Sequence, residues 1–150
     1  MSLKPARRHV DSTIDCFMNH TAERGGVVCY DTVGSGTAMD NASQTVHYKT
    51  SPSGGQPVGF LMCDVVNLDL TRQPLNRYQE EVQVGGKVTI WTKGTVTTNY
   101  LVSGITVTAG QPARVGAQGQ LTNTGPGEVV GRFDTAKDED GFARVTINLP

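Results

Sequence analysis

The chain has 150 residues, with 13 Lys and Arg set against 14 Asp and Glu. That balance, with a sequence pI near 6.3, removes the simple electrostatic case for duplex nucleic acid, which needs a basic face. No run approaches the roughly 18 apolar residues of a membrane span. The basic start MSLKPARRH has no apolar core behind it, so no secretory signal is expected.

This length predicts one domain, able to bury roughly 70% of its unfolded surface without a disulfide or metal staple. Eighteen glycines and a hydrophobic fraction of 37% fit many turns and short strands better than long helices. The three cysteines, Cys16, Cys29 and Cys63, are odd in number and widely spaced, with no CxxC. Neither a zinc site nor a disulfide framework follows from that pattern. Cys29 and Cys63 sit inside apolar runs and are expected to be buried thiols, in a protein made in a reducing cytosol.

Residues 1–15, MSLKPARRHVDSTID, are polar and carry Pro5, Lys4, Arg7 and Arg8, and they read as a flexible N-terminal arm. Fully extended, such an arm reaches ~50 Å. Residues 16–150 are then the single β-rich domain. CFMNHTAER, from Cys16 to Arg24, reads equally as a helical turn or a strand. GVVCYD is a strand, TVGSGTAMDNAS a small-residue loop, and QTVHYKT a second strand. SPSGGQP is turn chemistry throughout. VGFLMCDVV is a continuous apolar run of strand length, which fits a strand buried on both sides.

The polar connection NLDLTRQPLNRYQ contains Pro74, which disfavours a long helix. EEVQVGGKV turns at Gly85-Gly86. Val88 and Ile90 then share one face of KVTIWT, a turn is expected at Thr92-Lys93-Gly94, and Val96, Thr98, Tyr100 and Val102 share a face of the next strand. SGITVTA, Ser103 to Ala109, is expected to be another strand. Short pieces at ARV and QLT follow, then EVVGRF and FARVTINL on either side of TAKDEDG. In the last of these Ala143, Val145, Ile147 and Leu149 face the core. The predicted fold is all-β: a compact small barrel or sandwich of about eight short strands with an extended N-terminal arm.

Motifs for chemistry are weak. His9, His20 and His47 show no HExxH or HxH spacing, so metal binding would require them to converge in space. Ser35 lies in a GSG, but no GxSxG elbow, GxGxxG or GxxxxGK[ST] is completed. Aligning Gly141 with the glycine of an EF-hand loop puts Ala136 and Ile147 where carboxylates are required, so the Asp138-Glu139-Asp140 run reads as a solvated turn. Glu80 and Glu81 are sequence neighbours and point to opposite faces of a strand. Trp91, the only tryptophan, lies on an otherwise polar face, and partial burial is favoured over display. No catalytic residue, cofactor or metal is assigned, and an enzyme is not expected.

Three runs carry a resemblance: VVNLDLTRQPLNRYQEEVQVGGKVTIWTKGTVTTN, then AGQPARVGAQGQLTNTG, then VGRFDTAKDEDGFARVTINLP. Over most of the chain from about Asp15 onward, the sequence resembles head decoration, or capsid cement, proteins of tailed bacteriophages. The resemblance implies a structural protein on the outer capsid surface of a virion, made in the host cytoplasm. It would bind the major capsid protein and itself, as a homotrimer, and bridge capsid subunits, with no direct nucleic-acid or membrane partner. It supplies no fixed contact motif. From the residues themselves, Arg7, Arg8 and His9 in the arm, Asp69, Arg72, Gln73 and Arg77 in the connection, and Trp91 are the candidate partner contacts. The alternative is a surface-exposed receptor- or glycan-binding β-module, with Trp91 and Tyr100 lining a shallow site.

Overall fold

The computed structural model describes Leu3 and residues 9–31, 45–69 and 80–149. Eleven strands occur among them: β1 (His9–Met18), β2 (Val27–Tyr30), β3 (Thr45–His47), β4 (Pro57–Leu61), β5 (Asp64–Val66), β6 (Glu81–Gln83), β7 (Lys87–Thr98), β8 (Pro112–Val115), β9 (Leu121–Thr122), β10 (Val129–Phe133) and β11 (Ala143–Asn148). The expected all-β class is what the chain adopts. The strands are more numerous than expected because a turn divides the apolar run VGFLMCDVV and the N-terminal stretch adds one, while β7 is longer than expected.

Five strands close on themselves. β1, β3, β2, β4 and β7 are hydrogen-bonded in that order, and β7 returns to β1, which makes a five-stranded barrel. Closure leaves these strands no free edge. The barrel is filled by Cys16, Met18, Val28, Val46, Val58, Leu61, Val88 and Ile90. β7 then continues into a second sheet, ordered β7, β11, β10, β8, β9. The far edge of that sheet bends back to the chain leaving β7, through the Leu101–Leu121 bridge and the Val102 N–H donating to the Leu121 carbonyl at 2.9 Å.

A second core lies between this sheet and the outside of the barrel. Val96, Ala113, Val115, Leu121, Phe133, Ala143, Val145 and Ile147 come from the sheet, and Val27, Cys29 and Phe60 from the barrel wall. β2 is therefore buried on both sides, with Val28 directed to one core and Val27 and Cys29 to the other. The residues that predicted the C-terminal strand's inner face, Ala143, Val145, Ile147 and Leu149, are all buried there.

β7 is the shared strand. Its even-numbered residues from Val88 to Thr98 are all buried, as two-residue alternation requires. The turn expected at Thr92-Lys93-Gly94 is absent, because both flanks keep their ladders across it. On one side Val10 pairs with Gly94 and Ser12 with Lys93, and on the other Ile147 pairs with Gly94. Gly94 instead takes φ +148, a backbone state that L side chains rarely adopt, at the joint between the two units.

The expected arm boundary near residue 15 falls inside a paired strand. β1 starts at His9 and runs antiparallel to β7 from His9↔Thr95 to Phe17↔Lys87. Leu3 is buried and bridges Thr98. The ambiguity at Cys16–Arg24 resolves as the end of β1 followed by a loop whose Ala22 bridges Val65.

VGFLMCDVV is two strands, broken at Met62-Cys63, where β5 leaves the barrel to pair in parallel with β6. Cys29 is buried, as expected, but Cys63, at this break between two strands, is only partly so. SGITVTA is not a strand. Side-chain amides replace a ladder there: Asn123 Nδ2 donates to the Thr106 carbonyl at 2.8 Å, and Gln111 Oε1 accepts from Asn123 Nδ2 and from the Thr108 N–H, each at 2.9 Å. Val107 from this segment is still buried. In TAKDEDG, Asp138 Oδ1 accepts from the N–H groups of Asp140 and Phe142 at 3.0 and 2.8 Å. The carboxylate therefore organises the β10–β11 turn, as its solvated-turn reading implied.

Candidate functional site

The candidate contact residues do not come together among the described residues. Arg7, Arg8, Arg72, Gln73 and Arg77 lie outside the described residues. His9 is the first residue of β1, at the second-sheet end of β7. Asp69 is exposed, next to Leu68, which is among the few exposed large hydrophobic residues. Trp91 is half-buried. It pairs across strands with Phe60 and packs against the second core, as partial burial predicts. Tyr100 stacks on Tyr48, with ring centroids 5.7 Å apart.

The structure assembles a different site, at the end of the barrel where β1 runs out. Parallel pairing of β1 with β3 places Met18 beside Val46. The residues that follow each partner, Asn19 and His20 on one side and His47 and Tyr48 on the other, are thereby brought together. The His20 and His47 rings lie 6.2 Å apart and are tilted by 46°. His9 is at the opposite end of β1, so two of the three histidines converge. No group of three metal-binding side chains occurs among the described residues.

Around the histidine pair opens a cleft of about 530 Å³, lined by Met18, Asn19, His20, Thr21, His47, Tyr48, Thr50, Asn67, Val84 and Gln118. Half-buried Val84 supplies apolar surface, and Met18 beside the cleft is fully buried in the barrel core. The walls are amide, hydroxyl and imidazole, and no Asp, Glu, Lys or Arg is among the described lining residues. Behind the cleft wall, Asp31 Oδ1 lies 3.8 Å from His47 Nδ1, beyond hydrogen-bond reach. That nitrogen is buried without a hydrogen-bond partner.

The walls are held firmly. The Tyr48 hydroxyl donates to the Glu23 carbonyl and accepts the Gly26 N–H at 3.0 Å. Gly26 and Gly119 leave room for the Tyr48 ring, since a Cβ on either would sit 2.8 Å or less from it. Gln118 is the one non-glycine residue with positive φ among those described, at +56. Its N–H donates to the Lys49 carbonyl at 2.8 Å and its carbonyl accepts from the Tyr100 hydroxyl at 3.2 Å. The second unit thus contributes one wall of a cleft in the first.

Burial also sets a pH limit. It pushes the Tyr48 phenol well above the ordinary tyrosine range. It raises the Cys29 thiol from 9.0 to about 11, and the Cys16 thiol upward as well. Each group keeps its proton in the folded chain at a pH where the unfolded chain has lost it. The stability each proton holds is therefore fully present below the unfolded value, about pH 9 for the thiols and about pH 10 for the phenol, and falls as pH rises beyond it. The Cys29 share is exhausted above its folded value. Urea midpoints measured from about pH 8 to about pH 11 are expected to fall steadily, and a flat profile contradicts this assignment.

Local spacing carried no signal for this cleft. His20 and His47 are separated by a turn and two strands, and only the β1–β3 register unites them. No protein-family model matches the chain, and no curated protein matches it.

Proposed function

We propose that this chain is a structural capsid decoration protein, which binds the outer surface of a phage head as a homotrimer and bridges major capsid subunits to stabilise the expanded shell. What supports this reading, beside the resemblance of its three sequence runs, is the way the body is stitched. β1 lies along β7 across both units, and the two units share that strand. A pull on the N-terminal segment along the strand direction loads all of that ladder's hydrogen bonds together rather than one at a time. A clip that holds neighbouring subunits against internal pressure needs such a body, and many modest contacts repeated by symmetry supply its avidity. The exposed Leu68–Asp69 corner and the basic pair Arg7 and Arg8 are the contacts assigned to the capsid.

The test is co-sedimentation of the purified chain with expanded and with precursor capsids. Binding to expanded capsids alone is expected, and equal binding to both, or to neither, overturns the proposal. The arm is tested by the Arg7→Glu/Arg8→Glu double substitution, expected to lower occupancy. Deleting residues 1–15 is the wrong test, because it removes most of β1 and opens the barrel.

A further inference from the structure

The geometry points to the cleft between the end of β1, β3 and the Gln118 turn as a binding site for a neutral saccharide. This goes beyond the capsid reading and does not depend on it. The cleft has the volume of small-ligand sites, which run from roughly 300 to 1,000 Å³. Its polar groups are Asn19, Asn67 and Gln118 amides, which each donate and accept, beside threonine hydroxyls and two imidazoles. Adjacent hydroxyls on a sugar ring both donate and accept, so such a lining can pair with them without a formal charge on either side. A charged ligand would find no opposite charge among the described lining residues and would lose its hydration for little return.

The apolar surface of Val84 and the tilted His20–His47 rings suit the C–H face of a pyranose, which is apolar while its rim is polar. His47 is itself a lining residue and keeps a quarter of its side chain exposed, so its ring offers the ligand a partly open imidazole face. Gln118, held in the left-handed region by its neighbours' hydrogen bonds, shows backbone strain maintained at the cleft wall.

An extended peptide is the other neutral, hydrogen-bonding occupant, and the topology disfavours it. Peptides of that kind add to an open sheet edge. Here β3 is already paired on both sides, to β1 and to β2, and β1 is paired to β3 and β7.

The experiment uses the full chain. A printed array of neutral and sialylated oligosaccharides selects the best neutral binder, which is then titrated into ¹⁵N-labelled protein. Shifts confined to Asn19, His20, Asn67, Gln118 and their neighbours are expected. His20→Ala and Asn67→Ala, both exposed positions, are each expected to weaken binding more than tenfold while leaving the thermal midpoint unchanged, and His20→Ala is expected to leave capsid co-sedimentation unchanged as well. Three results overturn the proposal: no neutral sugar moving these resonances at millimolar concentration, binding of charged glycans alone, or affinity retained in both variants. A library peptide that moves the same resonances where no sugar does also overturns it, in favour of peptide recognition.

Discussion

Gly59→Ala is expected to cost about 3 kcal/mol or more, by forcing apart two strands whose backbones touch. Gly59 is buried in β4, and a Cβ there would lie 2.1 Å from the Trp91 carbonyl oxygen and 2.9 Å from Ile90 Cγ2. The obstacle is main chain, so no rotamer change relieves it. Nor can β7 retreat, because its other edge is held by β1, with Thr13 opposite Trp91 and Ile14 opposite Ile90. β4 must move instead. That breaks the Phe60–Trp91 and Leu61–Ile90 pairs, and with them the seam that closes the barrel. For a chain of this size each kcal/mol lowers the melting temperature by roughly 2–4 °C, so a fall on the order of 10 °C is expected in thermal unfolding followed by circular dichroism. A midpoint within about 2 °C of the parent would show that the strands have slack that this packing denies.

The same closeness explains which parts of the fold were legible in the letters. Where a strand buries one face, two-residue alternation writes that face into the sequence, and FARVTINL was readable to the residue. VGFLM is buried on both sides, as its continuous apolar run implied, although the full run VGFLMCDVV divides into two strands. The failures share one cause, which is that local chemistry was overruled by distant pairing. Thr92-Lys93-Gly94 has turn chemistry, yet two ladders laid down by β1 and β11 carry the chain straight through it. Residues 12–15 look like solvated tail, but Thr13 and Asp15 alternate with Ile14 and Cys16 in a barrel strand. SGITVTA has strand chemistry, but Asn123 and Gln111 side chains claim its main chain. The histidine-lined cleft was beyond reach because its walls meet only through the parallel β1–β3 register and a turn from the second unit.

Phe60→Ala is expected to destabilise the chain by about 3–5 kcal/mol, the range for deleting a buried phenylalanine. Phe60 is fully buried and is among the largest side chains with no exposure. It projects from the barrel wall into the second core, opposite Val27 on one neighbour and Trp91 on the other. The surrounding strands belong to closed ladders, so the wall cannot collapse into the space, and the cavity term adds to the lost transfer free energy. Tyr30→Ala on the neighbouring β2 removes another aromatic ring, but one that is 40% exposed, and a much smaller loss is expected there.

The sole tryptophan reports the change directly. In the parent, Trp91 packs against the core that Phe60 fills. Removing Phe60 takes a packing partner from that indole and leaves an apolar cavity beside it, so the emission of the folded variant should change in intensity before any denaturant is added. Because β7 carries both cores, Trp91 emission and far-ultraviolet circular dichroism should lose their folded signals at one urea concentration, in the parent and in the variant. Two separated transitions would mean that the barrel and the second sheet unfold independently, and the continuous ladder along β7 would then not carry force between them.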